Sequence, residues 1–373
     1  MITEVSLERF KCFKTLESIE LSRINLFAGS NGRGKSSFLQ ALLLIAQSMD
    51  AERRLNHIEI NGKFVELGTF KDIISRGAST QSVNITFKTD DKEENEVKLV
   101  MAPYDKKPQW CKLARIGLPG GKELVEEIGS ATGEDVSKKP KTLGATSTVA
   151  GFAQLHNVYY ISADRKGPID FAKQNDNRED NQIGIHGEYV INLLAHKGSG
   201  FISKVSNAIS EILLGATVSV SSTETDYLRL TIDSSNNSDG FRPSNVGFGY
   251  SYILPIVTTI LFAEEGAKIF IENPEAHLHP GAQSRLTEFL IKHAKEKKLQ
   301  LYVETHSDHV INCLRIAVSK ELIHRSDAKI IYFSRKEDNT PKVSQISIDS
   351  HGNLSDYPDG FMDEWGIQMS QLV

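Results

Sequence analysis

The sequence predicts an α/β protein with a mainly parallel core sheet, a β-rich N-terminal part and a lid-like insertion. Three observations carry that prediction. The last third alternates short apolar runs with longer segments of helical spacing, the pattern of a parallel sheet covered by helices. A Gly-rich segment at residues 29–37 joins an apolar strand to an amphipathic helix. Residues 119–148 are dominated by Gly, Lys, Ser and Thr with few large apolar groups, which reads as a mobile loop or insertion.

In chain order, the opening reads as strands at 2–10, 16–21 and 24–28. A helix follows at 35–49, where Phe38, Leu39, Leu42, Leu43 and Ala46 recur at helical spacing. Residues 82–88 and 97–101 are β-branched or alternating and continue a β-rich section. Residues 157–161 read as a buried strand, 189–194 and 201–214 as helices, 217–221 with 227–232 as a hairpin, and 234–240 as a polar turn. Then come a helix at 250–264, a strand at 268–271, a helix at 280–295, a strand at 300–303, a helix at 308–318 and a strand at 329–333. No internal repeat or sustained heptad pattern is present, which argues against a long coiled coil. The expected organisation is an N-terminal part at 1–118, an insertion or lid region at 119–243, a C-terminal part at 244–335 and a tail at 336–373.

Composition narrows the function classes. At 373 residues, 39% apolar and 24% charged, the chain has the make-up of a folded globular protein. A net charge of -5 gives no general attraction for a polyanion, so any DNA contact requires a local basic patch. Cys12, Cys111 and Cys313 form no C-x-x-C pair, so neither a disulfide framework nor a zinc site is expected. The most apolar run, 250–263, contains Pro255 and falls short of the ~20 residues of a membrane-spanning helix. A cytoplasmic chain without membrane contact is the expectation.

The chemistry-bearing motifs come in order along the chain. Gly29, Ser30, Asn31, Gly32, Arg33, Gly34, Lys35 and Ser36 match G-x-x-x-x-G-K-[ST] in full, with Ser37 just inside the following helix. Glycines let backbone N–H groups turn inward, and the helix aims its positive end at the same point. Lys35 is expected on the β- and γ-phosphates of ATP and the Ser36 hydroxyl on Mg²⁺. Residues 244–251 place Gly247, Gly249 and Ser251 ahead of a helix, a second set of N–H groups suited to an anion. An apolar strand ends in Glu272-Asn273-Pro274-Glu275-Ala276-His277-Leu278-His279-Pro280, and carboxylates at such a strand end serve the magnesium shell. The next strand ends in Glu304-Thr305-His306-Ser307, where an imidazole can meet the γ-phosphate or the attacking water.

In this order the motifs resemble those of the ABC-type ATPases, and most closely the SMC-like group. That group includes the RecF-type repair proteins and the "overcoming lysogenization defect" ATPases of bacteria. The segment Arg9-Phe10-Lys11-Cys12-Phe13 is similar to the group's opening strand and turn, where a basic residue, here Lys11, lies near the nucleotide. The resemblance covers residues 1–48 and 244–334; over 50–240 its best segment is 161–165. It implies an ABC-ATPase-like P-loop head in which Gly247, Gly249 and Ser251 stand at the signature position. That loop caps the γ-phosphate of a second protomer, so ATP joins two heads in a homodimer or higher homo-oligomer. Most relatives read D-E-P-E at the first strand end, with the second residue as base. Here Glu272 can serve Mg²⁺, but Asn273 cannot accept a proton. Glu275 or His306 can substitute, or hydrolysis is slow.

Several residues have blander readings. His277, His279, His306 and His309 are expected to belong to the motifs and not to a transition-metal site. Gln47, Asp72, Asp164 and Arg165 lie in segments able to approach the nucleotide but are more often packing or surface residues. The lysines at 106–107, 138–141 and 292–298 read first as solvated faces. The sequence thus implies an ATP- and Mg²⁺-dependent dimerising ATPase with a separately encoded effector, in DNA maintenance or phage defence. The alternative is a slow-turnover scaffold or sensor that restrains or recruits that effector.

Overall fold

The computed structural model describes residues 1–49, 55, 57–90, 96–104, 110–117, 123–124, 155, 157–174, 183–224, 226–234 and 240–372. The expected loop at 119–148 falls outside the described residues except for 123–124. The elements run β1 (Ile2–Phe10), β2 (Phe13–Glu20), β3 (Ile24–Gly29), α1 (Lys35–Ser48), β4 (Ile58–Glu59), α2 (Phe70–Ile73), β5 (Val83–Thr89), β6 (Glu96–Pro103), β7 (Trp110–Gly117) and β8 (Glu123–Leu124). They continue as β9 (Val158–Ile161), β10 (Phe171–Lys173), α3 (Val190–Lys197), α4 (Ser199–Leu213), β11 (Thr217–Ser222), β12 (Tyr227–Asp233) and α5 (Phe248–Phe262). The last are β13 (Lys268–Glu272), α6 (Pro280–Glu296), β14 (Gln300–Glu304), α7 (Asp308–Ser319), β15 (Ala328–Arg335), β16 (Pro341–Ile346) and α8 (Glu364–Ser370).

The chain forms two compact units. The first holds residues 1–22, 28–158 and 331–346; the second holds 23–27, 159–330 and 347–373. In the first, an antiparallel sheet runs β2-β1-β5-β6-β7-β4, with β8 beside β7. Strand β1 buries Ile2, Val5, Leu7 and Phe10, and its first departure from strict alternation, between Ile2 and Val5, falls where the pairing with β5 slips, at Ile2/Glu4. Helix α1 is apolar nearly all round and is buried on almost every side, as such a helix must be. The rings of Phe38 and Phe13 both meet Phe333, at 6.3 and 6.5 Å between centroids.

In the second unit, residues of β15, β3, β14, β13 and β9 lie side by side in that order. β3, β14 and β13 are parallel, with Leu301 opposite both Ile24 and Ile269. β13 and β14 are continuous apolar runs buried on both faces, which is why they read as strands without alternation. β11 and β12 form the expected antiparallel hairpin, and β10 adds to its β12 edge. Helix α6 starts with His279 as N-cap and Pro280 at its first position, and has His293 and Lys295 in its last turn. The stretch expected as a tail is structured: β16 is a strand, and Ile348, Leu354 and Phe361 are buried.

Tyr302 sits at the centre of this sheet, 4.3 Å from the Phe270 ring at 5° and 6.3 Å from Phe27 at 11°. Its ring is fully buried, and its hydroxyl has no hydrogen-bond partner among the described residues. A buried unpaired hydroxyl costs about 1–3 kcal/mol. Tyr302→Phe keeps the stack and removes that group, so thermal unfolding should show a variant more stable by about 1 kcal/mol. A clear loss of stability would mean that the hydroxyl is bonded in the folded protein.

Candidate functional site

β3 delivers the chain into the Gly-rich loop of the first unit. Gly29 has φ 126°, and a Cβ there would stand 2.1 Å from the Phe333 carbonyl oxygen. Gly34, at φ 109°, is the N-cap of α1, and a Cβ would meet the Phe13 ring at 2.5 Å. Only glycine fits either place. Between them Ser30, Asn31 and Gly32 are exposed and Arg33 is half-buried; beyond them Ser36 is exposed and Ser37 half-buried. Lys35 is 3% exposed, and its Nζ donates to the carbonyls of Gly29 at 2.8 Å and Ser30 at 3.0 Å. No side chain caps the start of α1, and its first turn carries no acid. A loop with three positive-φ glycines, an uncapped helix start and a buried ammonium make a donor set that fits a phosphate chain.

Lys11 follows β1 in a left-handed turn, with its N–H bonded to the Ile73 carbonyl at 2.7 Å. Its Nζ donates to Gln40 Oε1 at 2.5 Å, and burial lowers its pKa. The structure thus ties this cation to the outer face of α1.

In the second unit the ends of β13 and β14 are in register, with Glu272 opposite Glu304. Asn273 leaves the strand at φ 45°, a left-handed conformation that Asn tolerates well, and its N–H donates to the Glu304 carbonyl at 2.8 Å. The Asn273 side-chain oxygen is buried without a partner among the described residues. Glu272 Oε2 accepts from the Ala163 N–H at 3.1 Å. Burial first, and the Glu272 carboxylate second, push the Tyr160 phenol well above its ordinary range. On the β14 side, the Thr305 N–H donates to the Phe27 carbonyl at 3.0 Å, two residues before Gly29 in the chain.

Glu275 fastens the second strand end. Its Oε2 accepts from Thr305 Oγ1 at 2.9 Å and its Oε1 from the His306 N–H at 2.7 Å. Thr305 Oγ1 in turn accepts from the Ser307 N–H at 3.1 Å, and Ser307 caps α7 through the N–H groups of His309 and Val310. The His306 side chain stays exposed at this turn. A carboxylate whose two oxygens both accept from this turn is placed to hold it, and each oxygen keeps a second lone pair.

Arg165 is the residue that sequence reasoning undervalued. It is 2% exposed and spans both halves of the β13 end: Nη1 donates to the Glu272 carbonyl at 2.7 Å and Nη2 to that of Asn273 at 2.6 Å. Burial pulls its pKa down to about 10, against the opposing pull of Tyr252, Glu275 and Glu272. It remains a cation at neutral pH. An arginine four residues beyond a buried strand gave the one available signal, and its partners lie far away in sequence.

Gly247 is the N-cap of α5, with no side-chain cap. Gly249 lies so close to the next motif that a Cβ would stand 2.9 Å from the His277 carbonyl oxygen. Ser251 is 7% exposed, and its hydroxyl has no partner among the described residues. Phe248 is half exposed, and its ring and that of Tyr252 lie 5.8 and 4.4 Å from His277. His279 caps α6 through the Gly281 N–H, and no group of three His, Cys, Asp or Glu gathers for a metal among the described residues.

The weaker candidates resolve into structural parts. Gln47 bonds the backbone of Glu59, Phe64 and Val65, and Asp72 accepts from the Thr69 N–H at the start of α2. Asp164 is exposed. Lys297 donates to three carbonyls at the end of α5, Lys295 to the Leu322 carbonyl, and Lys298 pairs with Glu265 at 2.6 Å. The lysines at 106–107 and 138–141 lie outside the described residues.

Solved structures share this architecture. The Smc head in a crystal structure with the C-winged helix domain of ScpA matches with a TM-score of 0.56 and 15% identity, over 93% of this chain and 98% of that one. An Smc head with an extended coiled coil, bound to the C-terminal domain of ScpA derived from Pyrococcus furiosus, matches with a TM-score of 0.54 and 14% identity, over 93% and 96%. The fold is that of an SMC-like P-loop ATPase head. The family model described as AAA ATPase domain matches residues 1–183 and 155–311, and the chain belongs to that family. A second model, described as a protein of unknown function (DUF3696), matches residues 323–372. The uncharacterized protein MJECL11 of Methanocaldococcus jannaschii is 30% identical over 93 residues, 25% of this chain and 76% of that protein. No helix among the described residues is long and apolar enough to cross a membrane.

Proposed function

We propose that the chain binds ATP and hydrolyses it, and that two copies close around the nucleotide. The geometry of the Gly29–Ser37 loop supports this best, with Lys35 buried across two loop carbonyls at the bare start of α1. Lys35 and the loop amides take the β- and γ-phosphates. Lys11 is assigned a place beside the nucleotide. Ser36 and Glu272 would hold Mg²⁺, which neutralises charge on the phosphate oxygens. His306 meets the γ-phosphate, and Glu275 fixes the turn that carries it.

Gly247, Gly249 and Ser251 are assigned to the γ-phosphate of a second copy. ATP should therefore favour the closed pair over ADP. Gly249→Asp should block closure, because a carboxylate would face phosphate and a side chain would press on the His277 carbonyl. Light scattering that finds the same assembly with ATP, ADP and no nucleotide would sink the trans contact.

The downstream partner is a separately encoded effector, in DNA maintenance or phage defence, with DNA as a further ligand. The Smc heads above were crystallised with domains of ScpA, which makes a protein partner a natural form for such an effector. A second reading, a scaffold or sensor held closed by ATP, draws on Asn273 and on the engagement of both Glu275 oxygens. Steady-state turnover measured with and without duplex DNA separates the two.

A further inference from the structure

One turn of the second unit carries both Asn273, at the position that relatives by resemblance use for the base, and its candidate substitute Glu275. The turn runs from Asn273 at φ 45° to His277 at φ 62°, two left-handed residues that are not glycine. Such conformations persist only where the surroundings over-determine them. Inside the turn, the Ala276 N–H donates to the Asn273 carbonyl at 3.1 Å and the Leu278 N–H to the Glu275 carbonyl at 3.0 Å. Its two ends are held by different parts of the unit.

Arg165 holds the near end. Nη2 meets the Asn273 carbonyl, and Nη1 is shared between the carbonyls of Glu272 and, at 3.2 Å, Ser162. Among the described residues its hydrogen bonds all go to backbone carbonyls, none to a carboxylate. Burying a cation on those terms is costly. What the arginine supplies in return is a planar fork on two successive carbonyls, which lysine cannot reproduce.

The start of α5 holds the far end. Gly249 backs onto the His277 carbonyl, and the Tyr252 ring lies 4.4 Å from the His277 ring. The Arg165 guanidinium carbon sits over the same tyrosine ring, 5.3 Å from its centre. Half-buried Tyr252 therefore touches both residues that bound the turn's conformation, Arg165 on one side and His277 on the other. Outward of it, Phe248 lies 6.4 Å away and is 55% exposed, and Gly247 and His277 are exposed as well.

We propose that Arg165 is a positioning residue for ATP hydrolysis and that Tyr252 makes its hold depend on pairing. This rests on the reading that Gly247, Gly249 and Ser251 meet the γ-phosphate of a second copy. A phosphate on those amides fixes the start of α5, and Tyr252 then stays seated between Arg165 and His277. The turn keeps one shape, with Glu272, Asn273 and Glu275 in place, and turnover per copy rises as copies pair.

ATPase rates of the full chain, measured across a hundredfold range of protein concentration with light scattering alongside, test this. Turnover per copy of the unaltered chain should rise as pairs form. Arg165→Lys keeps a cation but loses the fork, so kcat should fall at least about tenfold while KM for ATP changes little. Tyr252→Leu should still pair but lose the rise, and Tyr252→Phe, which keeps the ring, should retain it. Thermal unfolding confirms that each variant is folded; if Arg165→Lys is not, the two Tyr252 variants decide. Three results would overturn the inference: an unaltered kcat in folded Arg165→Lys, an equal loss of kcat and ATP affinity there, or a full rise in Tyr252→Leu. A flat rate while scattering shows pairs would overturn it too and leave the pairing reading standing. A chain that neither pairs nor turns over ATP would remove that reading and the inference together.

Discussion

Lys35→Ala should leave the fold intact and weaken ATP binding at least about tenfold. The side chain is 3% exposed, and its ammonium donates to two carbonyls of the loop, those of Gly29 and Ser30. Ser30 is exposed, so its carbonyl can turn to water once the ammonium is gone. Alanine is the strongest helix former and suits the first position of α1. The apolar face that holds α1, including Phe38, Leu39 and Leu42, is untouched. Stability should therefore change little. Binding is different, because charged hydrogen bonds contribute roughly 1.5–3 kcal/mol each and Lys35 is the cation proposed for the β- and γ-phosphates. Calorimetry on the folded variant decides the matter: wild-type affinity for ATP would remove the phosphate-loop assignment.

What the sequence made legible was whatever is local. The G-x-x-x-x-G-K-S run announces its loop because two glycines have no substitute there, Gly29 against the Phe333 carbonyl and Gly34 against the Phe13 ring. The parallel strands β13 and β14 announce themselves as unbroken apolar runs, since both their faces are covered. What stayed hidden depends on partners far away in the chain. Nothing near Arg165 says that it will hold the carbonyls of Glu272 and Asn273. Likewise the grip of Glu275 on Thr305 and His306 exists only because parallel pairing sets Glu272 opposite Glu304. β7 was missed because its bulge at Ala114 breaks the two-residue period by which strands are recognised. The stretch after β15 looked like a tail because its anchors are scattered, a few apolar residues and the Arg315 bond to the Gly352 carbonyl.

The β13 end yields the second large effect. Asn273 stands where relatives by resemblance carry the base, and a positioned base contributes about 10²–10⁴ in rate. Asn273→Glu should restore a carboxylate there and raise ATP turnover several-fold or more. The backbone works against it, because φ at this residue is 45°, a region that asparagine and aspartate accept more readily than glutamate does. Asn273→Asp therefore serves as companion, a shorter carboxylate on an easier backbone. The Arg165 guanidinium bonded to the residue's own carbonyl favours a charged side chain in either variant. Glu275→Gln probes the other candidate. If Glu275 is the base, this change abolishes turnover while ATP binding persists, and Asn273→Glu adds little. If Glu275 only holds the turn, one amide oxygen can still accept from the His306 N–H, so turnover falls only in part. In that case the loss shrinks in the Asn273→Glu background. His306→Ala should lower turnover under both schemes, since the proposed reading places it at the γ-phosphate. ATPase rates for these variants and the Asn273→Glu/Glu275→Gln double mutant discriminate the schemes. Wild-type rates in every one of them would mean that the chemistry lies elsewhere than at the β13 end.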